Sequence, residues 1–320
     1  MDNIETTDIE SFVAKTPFHM ESGWELVLEN SNKNCSHSEI ELLLQKRIIN
    51  LIDIEIMKIL ARYPYTNSGN IAFMLNHTLH QGYQKPSYLS NLNKLKKAGI
   101  VLRYAFTDPA KQTEEADTTA SPLRLYCLSQ AAHTYMASIT PDCHLAATAA
   151  ISAVRKLELA SLNQFLIRFQ QHYSTCVVSL QYLKGTKIGS TPFTIDSILC
   201  CSATHPVFEG KEHIWLFVFS CREYGNWVKN NLTRLKMLRI WLQRHSKEYS
   251  VPFVVFLVEN LSMALTLYTH IQEVPLLQSF PLYFCSDSLL VSYPPLDAMY
   301  SCETNEDGYL TAIRHSISFT

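Results

Sequence analysis

The chain is predicted to be a mixed α and β protein, α+β in its first half and α/β in its second. Three observations predict this. Three short segments of helical period followed by a strand pair occupy residues 53–128. A strand, a long amphipathic helix and another strand follow one another across 213–259. The 320 residues, 47% apolar and 18% charged, suffice for two cores, and 9 Gly and 13 Pro exclude a collagen-like or disordered chain.

Lys and Arg number 27 against 29 Asp and Glu, a net charge of −2, so any nucleic-acid surface requires local segregation of charge. That segregation is present. Residues 1–40 hold Lys15 and Lys33 against eight acids, a net of −6, whereas residues 41–105 hold nine cations against three acids, a net of +6. The nine Cys are odd in number and scattered, and no basic segment leading into an apolar run precedes them, which predicts reduced thiols in a cytoplasmic protein. The most apolar runs, 214–219 and 251–258, fall far short of the roughly 20 residues that span a bilayer. No membrane partner is expected.

From Asp53, apolar Ile56, Ile59 and Leu60 stand at helical spacing until Pro64 ends the helix. Thr66 or Asn67 can cap a second helix whose buried stripe is Ile71, Ala72 and Leu75. Pro86 suits the first turn of a third, with Leu89, Leu92 and Leu95 as its stripe and Gly99 as its stop. Residues 101–106 and 123–128 read as strands joined by a long polar tip, and 129–138 as a closing helix. Helix, helix, helix, hairpin is the order of a winged helix-turn-helix, whose third helix enters the major groove of duplex DNA.

At about 100° per residue, placing Leu92 at the centre of the inner face brings Leu89, Leu95 and Tyr88 beside it. Ser87, Ser90, Lys94 and Lys97 then lie opposite, flanked by Asn91 and Asn93. Hydroxyls, amides and cations of this kind bond base edges and phosphates. The expected DNA-binding set is Lys85, Ser87, Ser90, Asn91, Lys94, Lys97, Arg103 and Arg124: Ser87, Ser90 and Asn91 reading sequence, and Lys85, Lys94, Lys97 and Arg103 neutralising phosphates. Arg103, Lys111 and Arg124 of the hairpin are the weaker phosphate candidates, and Glu114, Glu115 and Asp117 oppose deep insertion of its tip.

The expected organisation is an acidic, solvated arm over 1–40, a DNA-binding winged helix over 41–140, a helical connector over 141–175, and an α/β domain over 176–320. The connector carries Leu157, Leu162, Phe165, Leu166 and Phe169 at helical intervals and offers a surface for homodimerisation. In the last domain VVSLQYL, TIDSILC, HIWLFVFSC and VPFVVFLVE read as buried strands. A helix of about 20 residues with Trp227 and Trp241 as core anchors lies between the last two. Its cations Lys229, Arg234, Lys236, Arg239 and Arg244 read as a solvated face. PLYFCSDSLL is expected as a final edge strand, and the tail from Tyr293 has no assigned structure.

The junction LKKAGIVLRY, residues 95–104, and the succession of elements over roughly 45–290 resemble the replication-relaxation family of plasmids and conjugative elements. The resemblance implies a winged helix joined to a domain like a restriction-type nuclease, and a role in plasmid replication or transfer. The family's proline-aspartate pair is represented here by Ile195 and Asp196. Val218 and Ser220 stand where its strand acids are expected, followed by Arg222, Glu223 and Gly225. A hard divalent cation needs clustered carboxylates, so this departure from the family's pattern leads to the expectation of a domain without catalytic residues or metal that serves as scaffold or protein-partner surface.

Cys200, Cys201 and His205, even with His213 and Cys221, match no zinc spacing, and KGTKIGST lacks the closing Gly-Lys-Ser/Thr of a phosphate loop. No cofactor is expected. The leading expectation is therefore a sequence-specific, double-stranded-DNA-binding protein of a mobile element. The alternatives are a winged-helix transcription regulator with a sensing domain, and a metal-dependent nuclease using Asp196 and Glu223.

Overall fold

The computed structural model describes residues 18, 25–29, 35–79, 85–107, 124–140, 151–202, 213–249, 252–278, 280–304 and 310–314. The fold is mixed α and β, and the chain divides into two compact units, one of residues 20–164 and one of 165–320 with 1–19.

In the first unit β1 (Glu25–Leu28) precedes α1 (His37–Gln45), α2 (Leu51–Arg62), α3 (Ser68–Leu79) and α4 (Lys85–Lys97). There follow β2 (Val101–Thr107), β3 (Arg124–Leu128) and α5 (Gln130–Ile139). Helix starts are set by side chains that accept the open amides. Ser36 and Glu39 form a reciprocal box at α1, as do Asn50 and Asp53 at α2. Asn67 Oδ1 accepts the Asn70 N–H at 2.9 Å to open α3, and Ser129 caps α5. Helix α4 stops as its glycine requires: Gly99 (φ +74°) donates to Lys96 O and Ile100 to Leu95 O, both at 3.0 Å.

Strands β1, β2 and β3 form an antiparallel sheet with β2 in the centre. Leu102 and Tyr104 of β2 and Leu125 and Cys127 of β3 share one face of it. They are buried, as are Ile56, Leu60, Ile71, Leu75, Leu92, Leu95 and Met136 from the helices.

The expected acidic arm is not a free arm where it is described. Residues 25–28 are an edge strand on β2, and 37–40 open a capped helix. A four-residue strand whose partner lies some eighty residues downstream carries no period of its own, which is why the pattern misses it. The rest of residues 1–34, apart from 18 and 29, lies outside the described residues. So do the hairpin tip with Lys111, Glu114, Glu115 and Asp117, and residues 141–150 of the expected connector.

Helix α6 (Ala153–Tyr173) runs for 21 residues, and the division between units falls inside it, after Gln164. On the first unit's side Asn163 Nδ2 donates to Pro64 O at 2.5 Å, and the Asn67 and Asn70 amides donate to Gln164 Oε1 at 3.1 and 3.0 Å.

The second unit is built on a seven-stranded mixed sheet in the order β10-β9-β8-β7-β6-β5-β4. Its strands are β4 (Val177–Ile188), β5 (Thr191–Ser202), β6 (His213–Ser220), β7 (Pro252–Val258), β8 (Leu282–Ser286), β9 (Met299–Thr304) and β10 (Leu310–Arg314). β4 and β5 form a hairpin whose turn is Gly189 (φ +61°) and Ser190 alone, so within KGTKIGST residues 184–188 end β4 and Thr191 opens β5. β6, β7 and β8 are parallel, linked by α7 (Trp227–Arg244) and α8 (Leu261–Gln272), and a short α9 (Asp287–Ser292) follows β8. The expected edge strand in PLYFCSDSLL is corrected. β8 is interior, flanked by β7 and β9, and the second half of the segment is helix because Ser286 caps it. The tail supplies β9 and the true edge β10.

Phe219, Phe256, Phe284 and Tyr300 stack across four neighbouring strands, with ring centroids 5.6, 6.0 and 6.1 Å apart in turn. Trp241 packs edge-on against Phe217, which places α7 on this face. Trp241 is a core anchor as expected, whereas Trp227 is half-buried. Among the described residues no helix is long and apolar enough to cross a membrane.

Candidate nucleic-acid interface

Helix α4 buries Tyr88, Leu92 and Leu95 as the spacing predicts, but Leu89 is 38% exposed. Asn91, expected on the reading face, is buried instead. The inner face is therefore turned by roughly 60° from the one centred on Leu92, toward Leu95, Tyr88 and Asn91. Among the described side chains of the helix, the exposed polar ones are Ser90, Asn93 and Lys97. The side chains of Lys85 and Ser87 lie outside the described residues.

The turn has an electrostatic cause. Asp53, fully buried at the start of α2, has its carboxylate directed at the helix cap: Oδ2 accepts the Asn50 N–H at 2.7 Å. A buried carboxylate must be hydrogen-bonded and paired. Asn91 Nδ2 donates to Asp53 Oδ1 at 2.7 Å, and the Lys94 ammonium pairs with Oδ2 while donating to Ile48 O at 3.1 Å. Asn91 and Lys94, read from the wheel as DNA contacts, are thus directed onto α2. A wheel drawn on one helix has no knowledge of an acid on another. The Asn50-x-x-Asp53 capping spacing was the signal that would have placed it.

Arg103 and Arg124 lie on the same face of the sheet, the one that also carries buried Val101, Tyr126 and Leu128, since Ala105, two residues beyond Arg103, is the partner of Arg124 across the strands. Both meet Glu29, whose Oε2 is 2.5 Å from Arg103 Nε and 3.7 Å from Arg124 Nε. Lys96 stands near them. Burial, then the Arg103 charge, hold its ammonium below the ordinary lysine value, with Glu29 opposing. Glu29 and Lys96 were both missed from sequence, Glu29 because its strand was read as arm.

A second buried cation was missed. Lys156 of α6, 8% exposed, sits 4.2 Å from the ring centroid of Tyr104 and 5.9 Å from that of Tyr65. Burial lowers its pKa, offset in part by the Cys127 thiol, which burial itself pushes up to about 12.

In the second unit Asp196 is fully buried, and its Oδ2 accepts the Ser220 N–H at 2.8 Å and stands 2.7 Å from Arg234 Nη2. The Arg234 guanidinium also lies 4.5 Å from the Phe219 ring centroid, so this cation is a strut and not part of a solvated face. Arg239 likewise lies over Phe280, whereas Lys229, Lys236 and Arg244 are exposed as expected. Glu223 is exposed in the loop after β6.

At the carboxyl ends of the parallel strands buried Arg222 sits 2.9 Å from Asp287 and 3.9 Å from Glu259, tying three strand ends together. Cys200 and Cys201, being adjacent on β5, point to opposite faces, and Cys221 Sγ accepts from Asn231 Nδ2 at 3.0 Å. His205 lies outside the described residues. Among the described residues no group of three or more His, Cys, Asp or Glu side chains is placed to hold a metal ion.

Comparison with protein families, curated proteins and solved structures returns no match to this chain. The replication-relaxation resemblance therefore rests on the sequence motifs alone.

Proposed function

We propose that residues 20–164 are a winged helix-turn-helix and that the protein acts in the cytoplasm by binding a specific site on duplex DNA. The observation that carries this is α4. It is the last of the four described helices preceding an antiparallel strand pair, and the third counted from Leu51. It buries an apolar stripe and exposes Ser90, Asn93 and Lys97 within the segment of charge +6. In this proposal Ser90 and Asn93 face base edges, Lys97 neutralises phosphate, and Lys94 and Asn91 hold the helix at its angle on α2. Lys85 and Ser87 stay in the proposed set through their place in the first turn of α4. A role in plasmid replication or conjugative transfer, and the likeness of the second unit to a restriction-type nuclease, rest on the family resemblance.

We further propose that the action is not enzymatic. This is supported by the engagement of Asp196 with Arg234, since a carboxylate held by a guanidinium is a poor ligand for a divalent cation. The separate core of residues 165–320 favours one second reading, a transcription regulator in which that unit senses a ligand or protein partner. The two share the DNA face, and only in the second does an effector change affinity.

The test is a fluorescence-anisotropy titration of the full chain against fragments of the DNA around its own gene, at two salt concentrations with competitor DNA. Expected is site-restricted binding with a steep salt slope. Lys97→Glu should weaken it by about tenfold across sequences and flatten the slope by about one contact. Lys94→Glu should lower the melting temperature instead, because it brings a second acid to Asp53. Wild-type binding no tighter than to competitor would overturn the proposal.

A further inference from the structure

Three cations stand around one carboxylate at the three-stranded sheet. Arg103 and Arg124 come from β2 and β3 and Lys96 from the last turn of α4, where Lys97 is its neighbour. Glu29 follows directly on β1, and its position is set twice by the same residue: its N–H donates to Arg103 O at 2.8 Å, and its carboxylate meets the Arg103 guanidinium. The side chains of Arg103, Glu29 and Arg124 are 17%, 27% and 38% exposed, so the group is within reach of a ligand. One carboxylate offsets one of three charges. Burial, and after it the charges of Arg103, Arg124 and Lys97, hold the Lys96 ammonium below the ordinary lysine value, with Glu29 opposing.

We propose that this cluster is a phosphate subsite for the duplex backbone and that Glu29 occupies it in the free protein as an internal competitor. The inference rests on the DNA-binding reading of the same unit and adds a regulation to it. Arg103 and Arg124 present guanidinium forks, the geometry that carboxylate and phosphodiester oxygens share, so the two anions exclude one another. A backbone phosphate that enters must displace Glu29. Nonspecific affinity is thereby held down, and only a site that also engages α4 makes the displacement favourable. The acidic strand is held to β2 by four residue pairings, so the competitor is present at high local concentration and at fixed register.

The experiment is an anisotropy titration of the full chain with a nonspecific duplex at about 50 and about 200 mM salt. It uses wild type, Glu29→Gln, Arg103→Gln and the double variant, with a melting curve for each. Expected is a gain of about three- to tenfold in affinity for Glu29→Gln, with a salt slope steeper by about 0.9, the value of one phosphate contact. The gain should vanish when Arg103→Gln is also present. Glu29→Asp, which retracts the carboxylate by one methylene, should give a smaller gain and serves if the glutamine variant does not fold.

Wild type that binds while Glu29→Gln binds equally or more weakly would overturn the competitor and leave the DNA-binding reading standing. Binding by neither would overturn both. Binding by Glu29→Gln alone would support both, with the wild-type subsite closed.

Discussion

A carboxylate with no exposure, such as Asp53, has to be satisfied from whatever stands next to it, and here that requirement decides what two neighbouring polar residues do. Asn91 and Lys94 were eligible for DNA by type and spacing; the desolvated acid on α2 claims them. Lys156 shows the opposite case, a buried cation held by ring faces. Its pKa is lowered on folding, so between the folded value and the ordinary 10.5 the unfolded chain binds more protons than the folded one, and its contribution to stability rises with pH across that window. Lys156→Met should therefore raise the melting temperature relative to wild type near neutral pH, by an amount that shrinks as pH approaches 10.5. Paired melts from pH 7 to 10.5 would check this, and a difference that stayed constant or grew would contradict it.

At the scale of elements, α4 is the place where a turn of roughly 60° separates the single-helix reading from the folded one. The two readings assign different consequences to two leucines. Leu92 is 2% exposed and Leu89 38%. Leu92→Ala should cost about 2–5 kcal/mol, the range for truncating a buried leucine, whereas Leu89→Ala should change stability by no more than about 0.5 kcal/mol. Urea denaturation of both variants measures the difference, and equal losses would restore the stripe centred on Leu92.

The boundaries of α4 were legible because Pro86 and Gly99 act locally, and so were β4 to β7, whose Val, Ile and Phe runs need no partner to be recognised. β1 and β10 were not. Each is an edge strand of four or five residues, and such a segment is a strand only because a neighbour pairs with it.

For the whole molecule the relevant fact is a chain with two cores and a dividing point inside one helix. Two cores do not have to melt together. Calorimetry should give a van't Hoff enthalpy smaller than the calorimetric one, and Leu92→Ala should lower the transition of one unit while leaving the other in place. A single two-state transition displaced as a whole would show the units to be one cooperative block.

What the sequence determined by itself was the class of each half, the helix and strand runs with strong periods, and the concentration of positive charge in residues 41–105. These are properties of near neighbours, set by side-chain spacing, caps and turn residues. Tertiary structure alone decided which charges are available. It placed Glu29 on Arg103 and Arg124, Asp53 on Lys94 and Asn91, and Asp196 on Arg234. Ion pairing and desolvation act through space at a few ångströms, between residues separated by tens of positions, and no local pattern records that distance.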